Sequence, residues 1–423
     1  MKSRFMLMLI LLITFVGTQF GQGKDASLNE LIQEAIRVSP KIKMLQSKFN
    51  VAKAEIEIGT NLPDPVLKLG LINMPTNSFS FTQEPMTGKI VGLSQKIPFP
   101  GALSAASDVK SVDTLIVQQE IADLKNNIRK NVSELYFRLQ LNREEIRLAE
   151  KSIKLLTQIS NVVKRKYEVG TASLQNVIQV EVQITRVKDK IETLKGKENS
   201  AQSQLNALLL RKDNSNISTS NIISINNKDV NTDYLLSLAA KNRPALKSIN
   251  LLKNKAELMQ RQAEYSFYPN FNFGLQYSQR DHNAATGAPF HDFLSVVVGI
   301  TLPINYGGNK TAKVEKAKYL QGLYNDKFNT SLQLLQQSFG KINAKLAELE
   351  SREKLIVTTL LPQAEQAYKS SIADYQVSKI DFVNVIKAED DIIKINTELA
   401  KVRTDYQTKI AQLEFLSGTN FNN

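Results

Sequence analysis

Few side chains in this sequence could bind a metal or move a proton. The two histidines, His282 and His291, stand in a polar loop beside Asp281 and Asp292. A histidine–aspartate group becomes a metal site when several donors converge at set geometry. Two histidines in a polar loop fall short of that and read as solvated. Met74 and Met86 are soft enough to hold copper, but lone methionines near strands are packing residues first. No metal ligands and no cofactor are assigned. The chain has no cysteine, which removes disulfides, thiol nucleophiles and cysteine-bound metal in one step. Nor does it carry a phosphate-binding glycine loop or a nucleophile signature. An enzyme reading fails for want of parts.

Charge is no more specific. The net charge of +13 is spread along helical stretches, not gathered on one face with aromatics, so nucleic acid is not an expected partner. Lys2 and Arg4 precede an apolar run from Phe5 to Val16, and Gly21-Gln22-Gly23 offers a small-x-small cleavage site. Residues 1–23 therefore read as a secretory signal peptide. No later segment approaches the roughly 20 apolar residues of a membrane-spanning helix. The expectation is an exported chain with no spanning helix and, lacking cysteine, no lipid anchor.

The strongest pattern is a duplication. Tyr167-Glu-Val-Gly-Thr-Ala-Ser-Leu-Gln-Asn-Val-Ile178 recurs 208 residues later as Tyr375-Gln-Val-Ser-Lys-Ile-Asp-Phe-Val-Asn-Val-Ile386, and the gap-free match runs to Leu208 and Leu416. In each copy one helical pattern runs into a polar turn and another runs out, as at the tip of a helical hairpin. A chain built twice on one plan is read first as a repeat.

The elements around these tips follow from periodicity. Residues 25–58 are helical by spacing, with a new run after Pro40, and Leu62-Pro-Asp-Pro65 stops them. The period then changes from 3.6 to 2. Val66 to Asn73 and Lys89 to Ile97 read as strands, ended by Ile97-Pro-Phe-Pro-Gly101. From Ala102 to Arg211 there is no proline, and sevenfold steps such as Leu139, Ile146, Ile153 and Val180, Val187, Leu194, Ala201, Leu208 predict coiled-coil packing. Residues 212–233, rich in Asn, Ser and Thr, read as a linker or equatorial segment. A second plan then spans 234–418: a helix broken near Pro244, strands within 271–302, and long helices over 310–416 with a break at Pro362. A tail of residues 419–423 follows. The first plan spans 24–211, with its hairpin at 66–97 and its helices at 102–211.

The second pair of strands alternates cleanly. Phe271, Phe273 and Leu275 on one strand and Val296, Val298 and Ile300 on the other form an apolar face backed by small polar residues. Outer-membrane barrel strands have this pattern, and so do soluble antiparallel sheets. The signal sequence and helices too long for a globule favour the barrel. A barrel in lipid must close, and single-chain barrels start at about eight strands. Four strands therefore require several chains in a ring.

Helix, hairpin and long helical hairpin, repeated once, resemble the TolC family of outer-membrane efflux channels. The match covers essentially the whole mature chain, and Tyr167-Glu-Val-Gly170 with the Asn-Val-Ile triplet is similar to that family's helix-turn signature. The resemblance implies a mainly α chain with a small β part. Its long coiled-coil hairpins would form an α-barrel, and four strands per chain would build a trimeric 12-strand transmembrane β-barrel. It implies an outer-membrane location with a tunnel into the periplasm, and as partners a periplasmic adaptor and an inner-membrane RND-type or ABC pump. It places the periplasmic constriction at Asn176, Gln179, Asn384 and Lys387, and adaptor docking at Gly170, Thr171, Ser378 and Lys379. Family members often carry acids where Asn384 and Lys387 stand, so strong cation selectivity is not expected there. Asn73 to Met86 and Ser94 to Gly101 further resemble the family's heavy-metal branch. Drug efflux or type I protein secretion uses the same fold, and a secreted coiled-coil structural protein is the alternative outside it.

Overall fold

The computed structural model describes residues 27–226 and 231–421; the signal-peptide reading of residues 1–23 lies outside them. The chain opens with two short helices, α1 (Leu28–Val38) and α2 (Pro40–Thr60). A capping box joins Ser27 to Glu30 at the start of α1, and Pro40 takes the first turn of α2, where its missing N–H costs nothing. Strands β1 (Val66–Ile72) and β2 (Gly88–Ile97) follow, then α3 (Ala102–Glu168) and α4 (Leu174–Leu208). The second half repeats the order with α5 (Thr232–Asn242), α6 (Pro244–Glu264), β3 (Asn270–Gln279), β4 (Phe293–Thr301), α7 (Asn309–Leu355), α8 (Leu361–Gln376) and α9 (Phe382–Ser417).

With 67 residues, α3 is about 100 Å long, so the fold is a rod without a central core. Its apolar side chains gather in clusters along that rod. One, around Leu31, Val132, Leu139 and Leu205, belongs to the first half, and another, around Leu235, Phe339, Leu349 and Tyr406, to the second. Only toward the tips do both halves share a core: Leu156 and Val163 of α3, Val180 of α4, Tyr375 of α8 and Phe382 and Val385 of α9 pack together. The coiled-coil steps read in the sequence fall on these clusters and on a smaller one around Ala149, Ile191 and Leu194, against which Ile146 and Ile153 pack.

In two places the structure departs from what composition suggests. The helix does not stop at Pro362. It widens into a π-turn over Ile356–Leu360 and continues as α8. The added residue per turn makes room for the proline ring, which would otherwise strike the carbonyl one turn back. Residues 212–226 have no regular secondary structure, yet they form a pinned strap. Asn206 donates to the carbonyls of Asp213 and Ser215 (2.9 and 2.8 Å), and Gln140 donates to the carbonyl of Ser220 (2.8 Å). Ile217 is buried against the first-half core, and the Ile225 amide reaches Glu353 of α7 (3.2 Å). The strap thus ties both halves together at mid-length.

Gly101 makes the corner between β2 and α3. Its φ of +91° suits glycine, and a Cβ there would meet the Tyr265 hydroxyl at 2.5 Å. Beside it Phe99 stacks on Tyr268, with ring centroids 4.5 Å apart. This aromatic joint fixes the sheet to the helical rod.

Candidate channel wall and gate

The four strands form one antiparallel sheet in the order β1-β2-β3-β4. In this register Leu67 faces Leu93, Leu69 faces Val91, Leu93 faces Leu275, and Leu275 faces Val296. Phe271 pairs with Ile300, and Phe273 with Val298. Because side chains alternate across a strand, all six residues expected to face lipid share one face, joined there by Leu67, Leu69, Leu71, Val91 and Leu93. Phe271 is half-buried and the other five are exposed: Val296 is 74% and Val298 55% accessible. An exposed apolar face this wide marks a surface meant for lipid or a partner. The opposite face carries Ser94, Asn272, Gln276, Ser278 and several glycines. Among the described residues β1 and β4 have no outer strand partner, so both edges are open.

The loops joining the strands close over the far end. The Arg280 guanidinium donates to the carbonyls of His291 (2.6 Å) and Pro85 (2.8 Å) and lies 3.8 Å from the Phe293 ring centroid. Asp292 accepts from the Arg280 amide (2.8 Å) and from the Tyr277 hydroxyl. Asp281 pairs with Lys89 at 3.5 Å. The aspartates beside His282 and His291 are thus held in structural contacts. Among the described residues no three His, Cys, Asp or Glu side chains are grouped as a metal would require. Met86 is exposed, and its carbonyl accepts from Asn73 (2.9 Å).

At the other end the two turns are built alike. Thr171 N–H donates to Lys166 C=O and Lys379 N–H to Asp374 C=O, both at 2.8 Å; Gly170 and Ser378 donate to Tyr167 and Tyr375, both at 3.0 Å. This is the Schellman pattern, with the left-handed residue one past the cap. Gly170 adopts φ +73° freely, whereas Ser378 is held at φ +60°. The turns also touch: Lys166 Nζ donates to Ser378 Oγ (2.7 Å) and lies over the Tyr375 ring. All four residues expected to dock an adaptor therefore lie at one end of the rod. Gly170→Ala is expected to destabilise the tip by about 1 kcal/mol, through backbone strain alone because no atom lies within 4 Å of the new Cβ. Ser378→Gly is expected to return a similar amount, less its bond to Lys166. Thermal unfolding of the two variants reads both signs.

Asn176 and Gln179 occupy the first turns of α4, and Asn384 and Lys387 those of α9. Gln179, Asn384 and Lys387 are exposed and Asn176 is half-buried. A pair of glutamates lies just beyond them. Glu181 and Glu389 occupy equivalent places in the duplication, 208 residues apart. Lys164 (2.9 Å) and Ser160 (3.0 Å) hold Glu181 ionised and lower its pKa. Glu389 is buried between α9 and α3, where Ser152 donates to it at 2.5 Å. Burial, only partly offset by that bond and by Lys190, pushes its pKa up to about 7. Tyr368 of α8, buried nearby and facing the same carboxylate, is pushed up to about 12. The spacing of the two glutamates could be read from the sequence; the difference in their surroundings could not.

A rod of long helical hairpins bearing a four-stranded sheet with one lipid-compatible face defines the subunit of an outer-membrane channel. The chain belongs to the outer membrane efflux protein family, whose model matches residues 31–209 and 235–419, one stretch in each half. Proteins of that family are passive channels, not enzymes. The fold is that of VceC, an outer membrane protein of Vibrio cholerae (TM-score 0.75, 16% identity, 94% of this chain and 97% of that one). It is also that of the transmembrane channel protein CusC (TM-score 0.71, 16% identity, 95% and 96%). By sequence the chain is 24% identical over 314 residues to toxin and drug export protein A of Aggregatibacter actinomycetemcomitans. That alignment covers 70% of this chain and 66% of the relative, just under two thirds of the relative's length.

Proposed function

We propose that three copies of this chain form the outer-membrane duct of a tripartite efflux system. The open-edged, four-stranded sheet with its apolar outer face carries this reading. Such a sheet is stable in lipid only when neighbouring copies pair its edges into a closed barrel, and three copies supply twelve strands. The two structural repeats, 24–211 and 234–418, then line one helical tunnel across the periplasm, joined by the 212–233 segment. The turns at Gly170, Thr171, Ser378 and Lys379 meet a periplasmic adaptor, and an inner-membrane RND-type or ABC pump supplies the energy. Asn176, Gln179, Asn384 and Lys387 ring the closed end of the tunnel. The family that the sequence resembles exports metal ions, drugs and proteins through this architecture, with cargo chosen mainly by pump and adaptor.

Conductance of the purified protein in a planar bilayer, before and after Lys387→Asp, tests this reading. Discrete steps whose ion selectivity shifts with the substitution are expected. Steps indifferent to it would keep the duct and move its constriction elsewhere. A soluble, elongated protein that never conducts would favour a secreted coiled-coil structural role.

A further inference from the structure

The strands contain three charged residues, Lys68, Lys89 and Lys96, and no aspartate or glutamate. Lys89 shares the apolar outer face near the loop end, where it pairs with Asp281 and lies over the Phe81 ring. Lys68 and Lys96 are on the other face. The register sets Lys68 opposite Gly92 and Lys96 opposite Asn272. Both are exposed, and neither makes an ion pair among the described residues. Gly70, Gly92, Ser94 and Gly274 share their face with Val66, Ile90 and Val297, and within the strands the two ammonium groups are the only charges on it.

Neither lysine is paired with an acid among the described residues. Asp281 is taken by Lys89, and Asp292 by Tyr277 and Arg280, all at the loop end. Asp64 precedes β1 and lies outside the paired strands. Lys96 is four residues along β2 from the partner of Lys68, about 13 Å at strand rise. With a screening length of about 8 Å at physiological salt, the two charges cover the helix-proximal part of the wall almost continuously. Like-signed fixed charge on a low-dielectric wall concentrates counter-ions and excludes co-ions.

We infer that Lys68 and Lys96 make the barrel an anion-favouring exit, so that the duct passes acidic solutes, those bearing carboxylate or phosphate, in preference to hydrated metal cations. The inference rests on the duct reading, which makes this face the lumen, and it names the class of cargo that the duct suits. In a closed trimer six ammonium groups would line the exit, with no acid within the strands to balance them.

The reversal potential of single channels under a potassium chloride gradient tests this, using the full-length trimer in planar bilayers. Wild type is expected to reverse on the chloride side. Lys68→Gln with Lys96→Gln should bring the potential toward zero, and Lys68→Glu with Lys96→Glu should carry it to the potassium side. The glutamine pair adds no acid to the wall, so it serves if the glutamate pair fails to insert. Potassium preference in the wild type, or one reversal potential for wild type and glutamine pair, would overturn the inference while leaving the duct intact. Inserted wild-type trimers that never conduct, even after the tips are loosened by Gly170→Ala and Lys387→Asp, would defeat the duct reading and this inference with it.

Discussion

Val298→Arg is expected to abolish the membrane-inserted trimer. Val298 sits in the middle of β4, opposite Phe273, on the face that also carries Leu275, Val296 and Ile300. An arginine on the lipid side near the bilayer midplane costs about 2–4 kcal/mol, and a symmetric trimer bears that cost three times. Total stabilities of folded proteins are commonly about 5–15 kcal/mol, so the sum is comparable with the whole margin. The adjacent residue supplies the control. Val297 faces the other way, opposite Gly274, so Val297→Arg should place its charge in the aqueous lumen and leave assembly largely unchanged. Trimer yield in outer-membrane fractions measures both. Equal yields for the two variants, or loss only with Val297→Arg, would reverse the assignment of the faces.

The second large effect concerns pH. The Glu389 carboxyl titrates near 7 in the folded chain, against an ordinary value of 4.5. Between those values the unfolded glutamate has released its proton while the folded one keeps it, so the folded state binds more protons. Stability therefore falls as pH rises from about 4.5 to about 7 and levels off above that. At 1.36 kcal/mol for each tenfold change in proton affinity, holding the carboxyl at about 7 instead of 4.5 corresponds to a loss of about 3 kcal/mol per chain. Glu389→Gln keeps an acceptor for Ser152 and removes the charge, so it is expected to stabilise the protein at pH 8, do little at pH 4.5, and flatten the slope between. Denaturation midpoints across that range provide the check. A wild-type midpoint that rises from pH 5 to pH 8, or an identical slope in the variant, would rule the account out. Glu181 provides the contrast. Its pKa is lowered, chiefly by Lys164, so its contribution has the opposite sign and is lost as pH falls. Being half-exposed, it is also screened.

How much was legible in the sequence depended on whether a feature repeats along the chain. The duplicated Tyr-x-Val and Asn-Val-Ile residues mark both tips because a hairpin turn needs the same chemistry each time it is built. The alternation of Phe271, Phe273 and Leu275 against Val296, Val298 and Ile300 reveals one shared apolar face because each strand obeys a period of 2. The first pair of strands is harder to read, since Lys89 and Gln95 interrupt the apolar side. Features that depend on one distant neighbour were not legible. Glu389 resembles any polar residue on a long helix until Ser152 of α3, more than 200 positions away, is set against it. Ser378 looks unremarkable until its backbone is seen in the shape that Gly170 adopts without strain. The strap at 212–226 was hidden by its Asn- and Ser-rich composition, although Ile217 and Ile225 stand within it. At Pro362 the expected break follows from proline chemistry, but whether a helix breaks or widens depends on the packing that holds its two sides in line.

The open edges of the sheet bear on the life of the chain before it reaches its final state. A single copy in transit carries two rows of unpaired backbone groups beside a broad greasy surface, the combination that drives strands of different molecules to stick together. On the duct reading, a newly exported chain is therefore most at risk while it is alone. Its survival is a race between meeting its proper neighbours and joining the wrong ones, and at low abundance the wrong ones gain time. A chain of this design calls either for an escort across the compartment or for synthesis in bursts, so that partners arrive together.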